Sequence, residues 1–424
     1  MRLIENCLVC EGGLSKVGYL GYLYPSAFID SPSDESRFKR TETWVNWCAK
    51  CKNMQACQVE DGEALFRDYY YNSGINLGMK ASLLDIVTCK HAQDTYLLED
   101  GEFSWLDIAS NDNTMLTQVN EEYDDVFTVG IDPAKITNRK DVDLFINDFF
   151  SADLVRQRCR VFYEKENVRF NIISCIAMMY DIEKIHEFIE DVKSLLREDG
   201  TFIVQLMDLE SRLKTYAIED NYQEHVICYS LECLDKLFKQ HGLEIYDCEY
   251  NKTNCSSLRI YVGFLGVHDR RENVDQMILF QSEYFNTTNM LFWEEQVGRK
   301  LKYFKDYLVT QKALGKKLYL VGASTKANTL LQLTGINDKL IDSALELSSF
   351  KWGKYMLGSN IPIVPEKEFL NNKQDYRDTV FILAIWAFKD GIKKNYQKYL
   401  DLGAELIVPF PSLHKITKDG EFLL

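Results

Sequence analysis

The sequence predicts an α/β protein in which two doubly wound sheets follow a small cysteine-bound module. Three observations predict it: short apolar segments alternate with helix-like ones from Ser104 to Gln205, a second such series runs from Leu318 to Val408, and two Cys-x-x-Cys pairs precede both. Alternation of this kind is the signature of parallel strands joined by crossover helices. A chain of 424 residues exceeds one ordinary core, and the pattern divides it into a module over 1–65, an α/β domain over 66–275 and a second over 276–424.

In the first element, Cys7-Leu8-Val9-Cys10 and Cys48-Ala49-Lys50-Cys51 are spaced so that each pair places two thiolates on one ion. Two pairs complete a tetrahedron, and four sulfurs leave no open position for a catalytic water, so the expected metal is a structural zinc. Four free thiols or two redox pairs are the competing reading, and Cys57 stands near enough to replace a ligand. The remaining cysteines, among them Cys89, Cys159, Cys175, Cys228 and Cys248, lie in apolar or helical patterns, as buried thiols of a reducing cytosol do.

A helix-like segment from Met79 to Val87 opens the middle domain. Strands are expected at Ser104–Ile108, Val126–Ile131, Asp141–Ile146, Phe170–Ser174 and Thr201–Gln205, with helices from Thr114 and over Ile182–Arg197. A charged helical stretch, roughly Gln276 to Gln311, leads to further strands at Leu318–Val321, Ile361–Val364, Thr379–Leu383 and Glu405–Val408.

Composition narrows the function. A hydrophobic share of 46% with 27% charged residues is that of a globular protein. No apolar run approaches the roughly 20 residues of a membrane span, and Met1 to Asn6 lacks the apolar core of a secretory signal. The expected location is the cytoplasm, with no membrane partner, as a monomer or weak oligomer. A net charge of −15 repels phosphate backbones, so no nucleic-acid partner is expected.

The segment Trp105 to Asn113 lies where a strand turns into a helix, and open α/β sheets bind ligands there. Asp107 ends this strand, Asp132 ends the next 25 residues later, and Asp148 with Phe149 ends the third. A carboxylate at the second position suits ribose hydroxyls; an acid beside an aromatic ring at the third suits adenine. Ala109 and Asn113 stand where glycine would be easiest, and the loop is no G-x-G-x-x-G, which favours an adenosine ligand without phosphates. An ordinary strand–helix turn with solvated acids is the bland alternative.

Tyr222 to Ser230, followed by Asn254 to Val262, resembles the sugar C-methyltransferase family, which methylates carbon 3 of dTDP-linked 4-keto deoxysugars. The resemblance extends over the four cysteines, Tyr69 to Gly74, Ser110-Asn111-Asp112, Gly130 to Pro133, Asp148-Phe149-Phe150, Gly322 to Lys326, Lys351-Trp352-Gly353 and Val408 to Pro411. It implies a zinc-binding module, a Rossmann-like class I methyltransferase domain that uses S-adenosylmethionine, and a C-terminal Rossmann-like domain for a nucleotide-linked sugar, most readily of dTDP type. On that basis Asp107, Ser110, Asn111, Asp112, Asp132, Asp148 and Phe149 are expected at the cofactor, and Arg259, Ser324, Lys326, Asn328, Lys351 and Trp352 at the substrate. The chain departs from the family at Asn113, Gln223, Cys255, Ser256, Ala327 and Ala387.

Methylation at carbon needs a base to remove a proton next to the ketone and a donor to hold the resulting oxyanion. His225 is the candidate base, since an imidazole titrates near neutrality, with a helix-capping or packing role as its alternative. Glu224 and Tyr222 are expected to orient imidazole and sugar, and by resemblance Tyr71 reaches the same site. His91, His186, His241, His268 and His414 read as surface or helix-face residues. After strand Leu318–Val321, the turn Gly322 to Thr329 with Lys326 is suited to a diphosphate. Two other functions remain consistent with the departures: a cofactor-binding paralogue without turnover, serving as a subunit or scaffold, and transfer to nitrogen or oxygen of a small metabolite.

Overall fold

The computed structural model describes residues 2–67, 72–74, 77–99, 101–136, 138–164, 167–218, 225–253, 256–372 and 375–424. It resolves into two compact units. Unit 1 comprises Met1–Leu14, Cys48–Ser211 and Glu224–Asn286; unit 2 comprises Ser15–Trp47, Arg212–Gln223 and Thr287–Leu424. All twelve cysteines fall in unit 1.

Unit 1 is built on seven strands: β1 (Phe103–Ile108), β2 (Val126–Ile131), β3 (Leu144–Ile146), β4 (Phe170–Ile176), β5 (Leu196–Leu206), β6 (Leu243–Asn251) and β7 (Ser257–Phe264). Their order across the sheet is β6-β7-β5-β4-β1-β2-β3. The first five run parallel, and β7 enters antiparallel between β5 and β6. A parallel sheet covered on both faces needs apolar residues on both sides of each strand, and every residue of β1 is buried. On one face Trp105, Ile172 and Ile203 pack with Ile86 and Val87 of α1 (Leu77–Val87) and Leu116 of α2 (Thr114–Glu122). On the other, Leu106, Ile173 and Phe202 meet Val155 of α3 (Ala152–Tyr163), Ile189 of α4 (Ile185–Leu195) and Leu234 of α5 (Leu231–Gln240). Ile4, Cys7, Val9, Cys48 and Cys51 belong to this second core.

Unit 2 repeats the plan with β8 (Lys317–Val321), β9 (Ser343–Glu346), β10 (Ile363–Pro365), β11 (Thr379–Ile382) and β12 (Glu405–Val408), followed by β13 (His414–Thr417) and β14 (Gly420–Leu423). The order is β10-β9-β8-β11-β12-β13-β14. The first five are parallel and the last two antiparallel. In both units the order reverses beside the first strand, which opens a crevice at its carboxyl end.

The alternation read from the sequence is present, but β6, β7, β9, β13 and β14 have no counterpart in that reading, and other elements differ in their bounds. The third strand begins at Leu144 rather than Asp141, because the Asp143 carboxylate accepts the N–H and Oγ1–H of Thr128, each at 2.8 Å. The long charged helix is two, α6 (Glu272–Tyr284) and α7 (Thr287–Ala313), broken where Phe285 turns to extended backbone and buries its ring.

Candidate functional site

The loop after β1 owes its shape to three residues in the left-handed region: Ala109, Asn111 and Asn113, at φ 59°, 52° and 59°. Asparagine tolerates this region better than other residues that carry a Cβ, and Asn113 adds two ties. Its Nδ2 donates to the Lys140 carbonyl at 2.9 Å and its Oδ1 accepts from Ser110 Oγ at 2.8 Å. Gly130 lies directly beneath, where a Cβ would stand 2.7 Å from Asn113 Oδ1 and 2.8 Å from Ser110 Oγ. The departure at position 113 thus fits the turn that glycine would otherwise make.

Carboxylates stand at the ends of β1, β2 and β3 in unit 1. Asp107, in β1, is buried and accepts from Ser174 Oγ at 2.8 Å. Burial pushes its carboxyl up to about 8, with Asp132 adding repulsion. Asp132, after β2, accepts the N–H of Asn111 at 2.9 Å on one oxygen and that of Ala134 at 2.8 Å on the other; desolvation raises its pKa as well. Arg139 donates to the Asn111 and Ala134 carbonyls and lies 3.9 Å from Asp132. Asp112 accepts from the Gly74 and Thr114 N–H groups, and Asn111 Oδ1 from that of Ser73. Asp148, after β3, is held below the usual carboxylate range by the Phe149 N–H and by Arg67, 2.8 Å away. The Arg67 guanidinium also stands over the Phe149 ring.

His225 is placed through the end of β4. Its Nδ1 is 2.8 Å from Asp181 Oδ1, and the Tyr180 ring meets it edge-on at 4.4 Å. The next residue is fixed from both sides: the Val226 N–H donates to the Tyr180 carbonyl and its own carbonyl accepts from the Ala56 N–H, both at 2.9 Å. A carboxylate accepts only, so Nδ1 carries the proton and Nε2 is the basic nitrogen. Tyr71, Tyr222, Glu224, Gln223 and Cys255 lie outside the described residues.

Arg259 sits within β7 with its guanidinium on Gln205, Asp85 and Glu249 at 2.8 to 3.0 Å. The expected substrate contact thus has its donors engaged by the protein. Of the histidines read as surface or helix-face residues, His91 and His186 lie on helices and, with His241 and His268, are half-buried, while His414 is buried. His91 bonds Asp247, and His186 bridges the Val9 carbonyl and His241; apolar neighbours in the sequence carried no sign of these partners.

The sulfurs of Cys7, Cys10, Cys48 and Cys51 all lie within 4.8 Å of one another, with Cys10 and Cys48 3.7 Å apart. Four sulfurs about 2.3 Å from one ion have edges of about 3.8 Å, so the set has the dimensions of a thiolate-held metal. The thiols are unpaired as disulfides. Cys57 is not part of the group, and Cys233 shares with Cys7 the Asn53 carboxamide.

In unit 2, Gly322 takes φ 81° and Ser324 caps α8 (Thr325–Thr334) by accepting the Ala327 N–H. Lys326 is in the first turn; Asn328 is buried and donates to the Ala27 carbonyl. Lys351 Nζ donates to the Ala323 carbonyl at 2.7 Å, and Trp352, 42% exposed and so not core, donates to the Glu346 carbonyl. Glu346 was not anticipated. It ends β9, accepts the Ala323 N–H from the loop after β8 and, on its other oxygen, the Ser348 N–H, each at 2.9 Å. Asp132 makes the same two bonds at the same station of unit 1. The unread strand Ser343–Glu346 hid it; a carboxylate 24 residues after Gly322 was the available signal.

Comparison with known proteins places two family models on the chain: a methyltransferase domain over residues 80–247 and a C-methyltransferase C-terminal domain over residues 252–411. The curated C-methyltransferase NovU of Streptomyces niveus is 25% identical over 99% of both chains. Among solved structures, an S-adenosylmethionine-dependent methyltransferase of Anabaena variabilis covers 47% of this chain and 88% of its own, with 14% identity and a TM-score of 0.33. Another from Clostridium acetobutylicum covers 44% and 98%, with 13% identity and a TM-score of 0.30.

Proposed function

We propose that this chain, a member of a C-methyltransferase family that uses S-adenosylmethionine, methylates the carbon beside the ketone of a nucleotide-linked keto-deoxysugar, with His225 as the base. The observation that carries the reading is the His225–Asp181 pair. Asp181 holds the imidazole in one tautomer and stabilises the imidazolium that forms when Nε2 takes the proton. The carbanion so formed is delocalised onto the ketone oxygen, and its carbon is the nucleophile.

The loop of unit 1 fits the cofactor by its chemistry. Asp107, Asp112 and Asp132 make the carboxyl end of β1 and β2 acidic and buried, which suits a sulfonium and an aminium group and disfavours phosphates. Asp132 is placed for ribose hydroxyls, Ser110 and Asn111 shape the loop, and Asp148 with Phe149 edges the base. Bound S-adenosylmethionine supplies a methyl group already activated for transfer.

The four cysteines are proposed to hold one zinc ion, structural because sulfur fills every position. In unit 2 the capped turn at Ser324 and Lys326, with Asn328, Lys351 and Trp352 nearby, supports a nucleoside diphosphate site. The matching bonds of Glu346 and Asp132 add a ribose acceptor to that reading.

Incubation with nucleotide-linked 4-keto sugars in deuterated buffer tests the assignment. Deuterium is expected at the carbon beside the ketone, with the product methylated there, and His225→Gln is expected to abolish both. Retained exchange in that variant would remove His225 as base. Methyl found on nitrogen or oxygen would move the acceptor, and cofactor binding without transfer to any sugar would favour the paralogue.

A further inference from the structure

Two carboxamides are buried beside the cysteine sulfurs. Gln55, 1% exposed, accepts the Leu8 N–H on Oε1 at 3.2 Å and donates through Nε2 to Cys7 Sγ at 2.9 Å and to Asn53 Oδ1 at 2.8 Å. Asn53, fully buried, points its Nδ2 at the sulfurs of Cys7 and Cys233, 3.7 and 3.2 Å away. A thiol is a poor acceptor, and a buried amide without a good partner is destabilising. A thiolate bound to a cation is a strong acceptor, so these donors match the sulfur as a metal ligand carries it.

The main chain of the same strand faces elsewhere. Asn53–Ala56 pairs antiparallel with Ile227–Cys228, Gln55 opposite Ile227, and the Ala56 N–H donates to the Val226 carbonyl. That pairing holds the residues directly after His225. On the far side, Tyr180 and Asp181 take the Val226 N–H and the imidazole. His225 is therefore set between two supports, one of which is bonded through Gln55 to the sulfur cluster.

We propose that Gln55 is a positioning residue that couples the metal-loaded cysteine cluster to the placement of His225: its side chain grips the Cys7 sulfur while its strand holds the short strand that follows the histidine. The metal is remote from the chemistry yet sets the geometry of the base. The inference rests on the zinc reading, since an empty cluster gives the carboxamides no thiolate to hold.

The test uses the full-length protein as purified. Elemental analysis comes first: one zinc per chain is expected, and its absence overturns the zinc reading and the coupling with it. With metal present, stripping by a chelator is expected to speed amide hydrogen exchange at Val226 and Ile227 and to move the imidazole ¹⁵N signals of His225. Affinity for S-adenosylhomocysteine should change less than about twofold, because the loop after β1 makes none of these bonds. Gln55→Met keeps the length and removes the N–H; it is expected to weaken zinc retention against a chelator by about 10- to 100-fold and to shift the same His225 signals. Should a stripped protein keep native exchange and native His225 signals, the coupling fails while the zinc reading stands. Should Gln55→Met lose cofactor affinity in step with the His225 shift, Gln55 supports the whole fold and not the histidine.

Discussion

Asp107 and Asn113 show how single residues trade stability against function. Burial raises the Asp107 carboxyl to about 8, against about 3.9 in an unfolded chain. The folded state thus binds a proton that the unfolded state has lost between those values, and stability falls as pH rises from about 4 to about 8. Asp107→Asn removes this penalty while keeping an acceptor for Ser174. The variant is expected to outlast wild type in urea at pH 8, by roughly 1 kcal/mol or more, with the gap closing near pH 4. In return it should bind S-adenosylmethionine more weakly, and the rise of wild-type affinity with pH should vanish; calorimetry across pH 6 to 8 checks both, and unchanged affinity at pH 8 would take Asp107 out of the cofactor site. At Asn113 the backbone is left-handed, which costs a residue such as alanine about 1–2 kcal/mol. Asn113→Ala should therefore unfold at lower urea than Asn113→Gly, which loses the same two side-chain bonds but not the conformation. Equal midpoints would mean that the hydrogen bonds, and not the φ angle, matter there.

At the scale of elements, what repeats strongly was legible and what is brief was not. The strands β1, β2, β4 and β8 are mostly apolar segments closed by turn residues, and their positions follow from the sequence alone. The strand Ser343–Glu346 is four residues with two polar ends, too little pattern to register, so its terminal acid went unseen although the matching Asp132 was read correctly as the end of a strand. Asp181 escaped for a different reason: it follows β4 by a short helical turn, Met179–Asp181, and only the fold brings it to His225, 44 residues away. Glu346 yields a prediction at this scale. If unit 2 takes a nucleoside diphosphate on the plan of unit 1, Glu346→Gln should weaken binding of that ligand by about tenfold, the worth of a charged hydrogen bond. Inorganic diphosphate, which needs only the α8 turn and Lys326, should bind as before. Isothermal titration with both ligands decides it, and equal loss for both would mean that Glu346 merely shapes the loop.

Across the whole molecule, two sheets share one parallel strand order, yet their chemistry is partitioned. Every cysteine and the acidic loop after β1 belong to unit 1, and the capped turn with Lys326 and Lys351 belongs to unit 2. The cysteine cluster is no appendage to its unit: Ile4, Cys7, Val9, Cys48 and Cys51 lie in the same core as Leu106, Val129 and Phe202. A ligand bound only by the folded state stabilises it by mass action, and structural zinc contributes folding free energy outright. Removing the metal is therefore expected to lower the unfolding free energy of unit 1 throughout its sheet and not only near the sulfurs. Hydrogen exchange with and without a chelator, read at matched times, should show protection falling along β1, β4 and β5, while β8 and β11 of unit 2 keep theirs. Loss confined to residues 2–14 and 48–59 would mean that the cluster folds on its own account; equal loss in β8 and β11 would mean that the cysteines stabilise more than the core they sit in.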